Sequence, residues 1–311
     1  MIEAQNLSKT YGDKTAVDDV SFTVRPGIVT GFLGPNGAGK STTMRMIIGL
    51  DAPTAGSVTV NGKPYAAHRA PLHEVGALLE ARSVHTGRTA YHHLRALAQT
   101  SGIPRSRVEE VIEMVGLTGV ARKRAGGFSL GMGQRLGIAS ALLGDPATVI
   151  LDEPVNGLDP EGIRWIRDLL KDLAVQGRTV FISSHLMSEM AVTAQHLIVI
   201  GRGKIIADES VDSFIAKASG NIVRVRATEP ERLSALLTGP DVAVSTGADG
   251  VLEVVGLSSD QIGLAAGPAG IYLLELAPQQ ASLEDAFMDL TRDTVEYTTT
   301  AGAHTSMGAR S

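Results

Sequence analysis

The sequence predicts an α/β protein with a parallel sheet, and two stretches of chain lead to this prediction. Thr148–Leu151 and Thr179–Ser183 are short apolar runs of strand length, and Pro160–Val175 between them has apolar residues at helical spacing. A strand, a helix and a second strand in this order form the unit of a parallel sheet. Earlier in the chain, a strand at residues 28–33 leads through a glycine-rich segment into a helix at residues 41–50.

The remaining segments before about residue 220 suggest two further parts. Residues 2–7 and 17–24 alternate like two antiparallel strands, with a third strand at 57–60. Residues 71–143 are predicted to be mostly helical, because apolar residues recur at helical spacing between glycine and proline interruptions. The predicted helices of this region are 91–99, 105–115 and 130–143.

After about residue 220 the pattern indicates a small α/β sandwich. A Ser-x-x-Asp capping pattern then begins an amphipathic helix at 282–291. The end of the chain has few large apolar residues, and we expect a disordered tail at 296–311. The predicted strands are 222–226, 242–245, 251–255 and 271–276, and the predicted helices are 231–237 and Ser259–Ala266.

Composition excludes several classes of protein. The 311 residues include no cysteine, so the chain has neither disulfides nor thiolate metal ligands. The net charge of -5, from 28 basic and 33 acidic residues, argues against a nucleic-acid surface. No run approaches the ~18 apolar residues of a membrane-spanning helix. We therefore expect a soluble, cytoplasmic protein without a nucleic-acid partner.

The glycine-rich segment has the pattern Gly-x-x-x-x-Gly-Lys-Ser of a phosphate-binding loop. Its glycines let backbone N–H groups converge on phosphate oxygens, and the following helix adds the positive end of its dipole. Lys40 would reach the β- and γ-phosphates, and the Ser41 hydroxyl would bind Mg²⁺. The candidate nucleotide-binding residues here are Gly34, Pro35, Asn36, Gly37, Ala38, Gly39, Lys40, Ser41 and Thr42.

An acidic pair follows the predicted strand at Thr148–Leu151. Asp152 can hold Mg²⁺, directly or through water, and Glu153 can orient and polarise an attacking water. The pair could instead cap the following turn. A phosphate loop in the same chain favours the catalytic interpretation.

Four further segments resemble the ATP-binding cassette (ABC) proteins. Phe-Ser-Leu-Gly-Met at 128–132, followed by Gly-Gln-Arg, is similar to the Leu-Ser-Gly-Gly-Gln signature, and Gly-Leu-Asp at 157–159 matches the D-loop. His185 in Ser-Ser-His-Leu lies where the family has its switch histidine, and Tyr11 matches the aromatic residue that stacks on adenine. His185 could otherwise be a strand-end histidine, and Tyr11 an ordinary surface aromatic.

The resemblance covers about residues 1–215 and implies a phosphate-loop ABC ATPase with three subdomains: an N-terminal antiparallel β subdomain, a RecA-like core and a helical subdomain. It implies ATP and Mg²⁺ as ligands, and an ATP shared by two cassettes, each adding its signature to the other's phosphate loop. Ser129 and the backbone near Gly131 would face the partner's γ-phosphate, and Asp159 would reach across the interface. His185 would form a hydrogen bond with the γ-phosphate and keep Glu153 and the attacking water in line with it.

Two departures from the family pattern are present. Leu130 and Met132 stand where the signature has glycine and glutamine, and Met132 cannot make the hydrogen bonds of an amide. Glu80 stands where the family has the Q-loop glutamine. Its carboxylate can accept a bond from a Mg²⁺-bound water, so it is a candidate metal residue, although it could also be a solvated loop acid.

The two segments that carry these departures resemble the corresponding segments in the ATP-binding subunits of bacterial drug and peptide-antibiotic exporters of the bacitracin and daunorubicin resistance type. That resemblance implies an ATPase that drives export of a drug, antibiotic or lipid-like cargo. It implies a separate permease, a second cassette in a homodimer, and a peripheral position on the inner face of the cell membrane. The alternatives are a soluble non-transport ABC ATPase and a phosphate-loop kinase or GTPase, which the signature opposes.

We expect three parts along the chain. Residues 1–218 form the cassette, with a helical subdomain at about 82–143. Residues 219–295 form a small C-terminal α/β domain with a role in dimerisation or regulation, and the tail at 296–311 follows.

Overall fold

The computed structural model describes residues 1–79, 84–218, 222–247, 249–279 and 281–291.

The N-terminal residues form the predicted antiparallel sheet. Strands β1 (Ile2–Tyr11), β2 (Lys14–Val24) and β4 (Ala55–Val60) lie in the order β2-β1-β4, and β1 pairs antiparallel with both neighbours. Both β1 and β2 are longer than predicted, because a tight turn at residues 12–13 joins them and extends the pairing to Tyr11 and Lys14.

A six-stranded sheet forms the centre of the molecule, and its parallel strands confirm the predicted α/β class. The spatial order is β5-β6-β7-β3-β8-β9, and every neighbouring pair is parallel except β8 with β9. Helix α6 (Pro160–Val175) joins β6 to β7 as predicted. The strands are β3 (Val29–Leu33), β5 (Val75–Leu78), β6 (Thr148–Leu151), β7 (Thr179–Ser183), β8 (His196–Gly201) and β9 (Lys204–Ser210).

Residues 71–143 are mostly helical, as predicted. The region also contains the strand β5, which follows a short helix at its start and pairs with β6. Four apolar residues are too few for periodicity to separate a strand from a helix, so only the pairing decides. The helices of the first 218 residues are α1 (Lys40–Ile47), α2 (Pro71–Glu74), α3 (Ala90–Thr100), α4 (Arg105–Met114), α5 (Leu130–Leu142), α6, α7 (Met187–Thr193) and α8 (Val211–Ala218).

Three phenylalanines join the two sheets. Phe22 on β2 lies 6.0 Å, between ring centroids, from both Phe32 on β3 and Phe181 on β7, and the last two are 5.1 Å apart. All three are buried. Aromatic packing at these distances fixes the antiparallel sheet against the central sheet, and with it the position of Tyr11 relative to the glycine-rich loop.

Residues 222–279 form a separate four-stranded antiparallel sheet with its own hydrophobic core. The order of elements agrees with the prediction, but the last strand begins two residues later than expected. The N–H of Ile271 donates to the carbonyl of Ala266 at the end of a helix and therefore belongs to that turn. The strands are β10 (Ile222–Ala227), β11 (Ala243–Thr246), β12 (Leu252–Val255) and β13 (Leu273–Gln279), with helices α9 (Pro230–Leu237) and α10 (Ser259–Ala266).

The last helix, α11 (Leu283–Thr291), packs against α7 and α8. Leu283, Ala286 and Phe287 are buried in the core around the central sheet, not in the core of the four-stranded sheet.

The division of the chain at residues 218 and 295 stays a prediction, and the tail predicted at 296–311 lies outside the described residues. Among the helices of the described ranges, none combines the length and apolarity needed to cross a bilayer.

The position of α11 predicts that Phe287→Ala destabilises the protein by about 3 kcal/mol, because the substitution leaves a cavity in the core. Urea unfolding measures this change. Met288→Ala is the matched control, since Met288 is 59% exposed on the same helix and its loss should change stability by about 0.5 kcal/mol or less. Equal effects of the two substitutions would contradict the packing of α11.

Candidate functional site

The glycine-rich loop connects the end of β3 to the start of α1, as the motif requires. Gly37 and Gly39 have φ values of 80° and 112°, which side chains rarely adopt. A Cβ at Gly39 would lie 2.6 Å from the carbonyl oxygen of Ala16, and one at Gly34 would lie 2.3 Å from that of Ile200. Glycine is therefore required here both for conformation and for close approach of neighbouring backbone.

Lys40 folds back over its own loop. Its ammonium donates to the carbonyl oxygens of Gly34 at 2.6 Å and Pro35 at 3.2 Å. Burial lowers the pKa of Lys40, while the negative charges of Glu153 and Asp152 act in the opposite direction. The cation thus lies in a cleft with two carboxylates, where phosphate oxygens could replace the carbonyl partners.

Asp152 is held by two hydroxyl groups. Ser41 Oγ donates to Asp152 Oδ2 at 2.8 Å, and Ser183 Oγ donates to Asp152 Oδ1. A hydroxyl beside a carboxylate suits Mg²⁺, which is usually bound by one or two carboxylates together with substrate phosphates and waters. Ser41 and Asp152 would hold the ion, which when bound would neutralise developing charge on the phosphates. In the described ranges no three His, Cys, Asp or Glu residues cluster as metal ligands.

Glu153 and His185 contact each other directly. His185 Nδ1 lies 2.7 Å from Glu153 Oε2, and the backbone N–H of His185 donates to the same oxygen at 3.2 Å. Because an ionised carboxylate only accepts hydrogen bonds, Nδ1 carries the proton in this contact. Nε2 can then donate to a phosphate only when the imidazole is doubly protonated.

Tyr11 lies at the mouth of the same cleft. Its hydroxyl donates to Asp51 Oδ2 at 2.8 Å, and Arg45 Nε donates to that oxygen at 2.7 Å. The Arg45 guanidinium and the Tyr11 hydroxyl together lower the pKa of Asp51 to about 2. The hydroxyl is thus anchored while the residue stays 47% exposed. Lys9 Nζ lies over the ring, 4.9 Å from its centroid, so a stacking base would use the opposite face.

The cleft around these residues has a volume of about 420 Å³, enough for a nucleotide-sized ligand. It brings together the phosphate loop, the acidic pair and Tyr11. Its lining residues are Tyr11, Lys14, Ala16, Asn36, Gly37, Gly39, Lys40, Ser41, Thr42, Asp152 and Glu153.

The signature residues lie elsewhere. Ser129 caps α5, its Oγ accepting the N–H of Met132 at 3.2 Å, and it lines a second cleft of about 430 Å³ that shares no residue with the first. Asp159 caps α6 and accepts the N–H of Gly162 at 2.9 Å. Within one chain, therefore, Ser129 and Asp159 do not complete the cleft of the phosphate loop.

The two signature departures have packing roles. A Cβ at Gly157 would lie 2.3 Å from the Leu130 side chain, and one at Gly131 would lie 2.8 Å from the Gly157 carbonyl oxygen. Leu130 therefore covers the D-loop glycine, and Met132 packs against the main hydrophobic core. Glu80, the candidate Q-loop residue, lies outside the described residues.

Sequence reasoning missed two residues that contact the acidic pair. Gln134 Nε2 donates to the carbonyl oxygen of Glu153 at 3.1 Å, and Ser183 Oγ accepts the N–H of Glu153 at 3.0 Å. A glutamine on the buried face of α5 was the available signal for the first residue. For the second, the signal was a serine at the end of β7, beside the strand that ends at the acidic pair.

Comparison with known proteins identifies the relatives of this chain. A family model described as "ABC transporter" matches residues 17–156, and a model described only as a domain of unknown function matches 221–284. An uncharacterized ABC transporter ATP-binding protein, YhcH of Bacillus subtilis, is 37% identical over 308 residues, which are 95% of this chain and 97% of that protein. The bacitracin transport ATP-binding protein BcrA of Bacillus licheniformis is 36% identical over 93% of this chain and 97% of its own length.

Solved structures show the same fold. A dimeric ATP-binding cassette in a post-hydrolysis state, bound to ADP and Pi, is similar with a TM-score of 0.63 and 26% identity. The similarity covers 68% of this chain and 99% of that one.

We predict that Tyr11→Ala weakens ATP binding by about 5- to 160-fold, the range for loss of one base–aromatic stack of about 1–3 kcal/mol. Tyr11→Phe is the matched control, because it removes the hydroxyl bonded to Asp51 and keeps the ring. Titration with a fluorescent ATP analogue measures both affinities. If Tyr11→Ala binds as tightly as Tyr11→Phe, the ring has no part in recognising the base.

Proposed function

The chain belongs to the family of ABC transporter ATP-binding proteins, and we propose that it is the ATPase subunit of an exporter whose membrane permease is a separate chain. ATP binding and hydrolysis are the activities of this family. The residues that perform them here, the partners and the cargo class are our proposal.

The observation that carries the proposal is the contact of Glu153 with His185, next to the Ser41–Asp152 pair. Glu153 is the general base that orients and polarises the attacking water. His185 holds the Glu153 carboxylate through Nδ1, and its doubly protonated imidazole donates to the γ-phosphate from Nε2. Lys40 and the backbone N–H groups of residues 34–42 bind the phosphates. Ser41 and Asp152 would hold Mg²⁺. Glu80 would take the place of the Q-loop glutamine, which couples the cassette to the permease.

A second copy of the chain completes each site. Ser129 lines a cleft that shares no residue with the cleft of the phosphate loop, which supports a role for the signature at an ATP bound to another chain. The resemblance to a dimeric cassette supports this arrangement. Since Lys40, Glu153 and His185 are all present, a homodimer has two complete sites. Asp159, at the start of α6, would meet the partner across the interface.

The cargo class follows from similarity over nearly the whole chain. The relative with 36% identity is named a bacitracin transport protein, and its match extends beyond the cassette into the C-terminal region. We propose a drug, antibiotic or lipid-like cargo. The chain would lie on the inner face of the membrane, with the region of residues 80–97 receiving a helix of the permease.

We expect Glu153→Gln to keep ATP affinity and to lower turnover by at least ~100-fold, the low end of what a positioned base contributes. The same variant should form a stable ATP-bound dimer on a sizing column. Glu161→Gln is the matched control, because Glu161 is an exposed acid at the start of α6. Near-normal hydrolysis, or a monomer at saturating ATP, would refute the proposed site.

Export is tested in the host organism. A strain lacking this chain should become more susceptible to at least one compound in a panel of drugs and peptide antibiotics. Wild-type protein should restore growth, and Glu153→Gln should not, since transport requires hydrolysis. Equal restoration by both proteins would rule out ATP-driven export as the cause.

A further inference from the structure

The backbone of Glu153 has an unusual conformation. Its φ is +51°, in the left-handed region, although it is not a glycine. Side chains make this region unfavourable, and such residues persist only where the surroundings impose the conformation. Because φ sets the direction of the Cα–Cβ bond, this torsion also determines where the carboxylate of the proposed general base lies.

Two buried side chains hold the backbone of Glu153 from opposite sides. Ser183 Oγ accepts its N–H at 3.0 Å, and Gln134 Nε2 donates to its carbonyl oxygen at 3.1 Å. The N–H of Asn156 donates to the same carbonyl at 3.2 Å and closes a tight turn. Gln134 is 2% exposed and Ser183 is fully buried, so water does not compete for these bonds.

The two residues come from different elements. Ser183 ends β7 and also donates to Asp152, so one hydroxyl holds the backbone of the base and the carboxylate of the metal site. Gln134 lies on α5, whose N-terminal cap is Ser129. The helix that carries the signature is therefore hydrogen-bonded to the general base of its own chain.

We propose that Gln134 and Ser183 are positioning residues that hold Glu153 in its left-handed conformation, and that Gln134 couples the signature helix to this base. This inference rests on the proposed function, in which Glu153 is the base and the signature faces the partner's ATP. When the signature of one chain binds that ATP, any movement of α5 reaches Glu153 through Gln134. Each chain thereby links its two half-sites.

The first test is a double-mutant cycle with Gln134→Met, which keeps the side-chain length and removes the donor. We expect turnover to fall by about 10- to 100-fold, as for a small misplacement of a catalytic group, with ATP affinity within about twofold of wild type. In a Glu153→Gln background the same substitution should change residual single-turnover hydrolysis little, because the base is already lost.

Two hydroxyl deletions are matched controls. Ser140→Ala removes an intrahelical bond on α5, and Thr148→Val removes a buried hydroxyl at the start of β6. Both should keep turnover near wild type. Wild-type turnover in Gln134→Met overturns the proposal. So does an equal fold-loss of turnover in the wild-type and Glu153→Gln backgrounds, or a loss of ATP affinity as large as the loss of turnover. Near-normal turnover of Glu153→Gln alone would instead refute the proposed function.

Ser183→Ala separates positioning from coupling. It should lower turnover and raise the Mg²⁺ concentration needed for half-maximal activity, because Asp152 also loses a partner. Only Gln134→Met should lower the Hill coefficient for ATP toward 1, since only Gln134 lies on the signature helix. A wild-type coefficient of 1, or equal changes in both variants, overturns the coupling. Unchanged turnover in Ser183→Ala overturns its positioning role.

Discussion

Parallel pairing of β3, β7 and β6 is the constraint on which the rest of the molecule depends. In a parallel sheet the carboxyl ends of the strands lie at one edge. Each of these three strands ends in a different functional segment: β3 in the phosphate loop, β6 in the acidic pair and β7 in the serines before His185. Residues 34–41, 152–153 and 183–185 are far apart in the chain, yet one set of backbone hydrogen bonds brings them together.

Three residues at this edge, Gly37, Gly39 and Glu153, have a positive φ. Gly37 and Gly39 have no Cβ, so this conformation costs them little, whereas Glu153 carries the carboxylate of the proposed general base. Its left-handed backbone is stabilised instead by Gln134 and Ser183, each worth about 1 kcal/mol as a typical hydrogen bond, against a cost of about 1–2 kcal/mol. The two hydrogen bonds are thus about equal in size to the cost of the conformation.

In the proposed dimer, each chain contributes two half-sites. The cleft of the phosphate loop and the cleft beside Ser129 have no residue in common, and helix α5 joins them through the Gln134–Glu153 bond. Leu130 packs over Gly157, and Met132 packs against the core where a glutamine would offer amide hydrogen bonds. The C-terminal helix α11 packs on α7, which follows His185 closely in sequence, so the C-terminal region is connected to the same edge.

The sequence by itself determined the α/β class, the phosphate loop and the acidic pair, because motif spacing and apolar periodicity are local properties. Helix α6 and strands β6 and β7 were predicted with the bounds that the structure has. Tertiary structure alone decided that residues 75–78 pair with β6, that α11 belongs to the main core, and that Gln134 and Ser183 hold Glu153. These features depend on contacts between distant segments, and no local pattern encodes which buried polar group will meet which backbone.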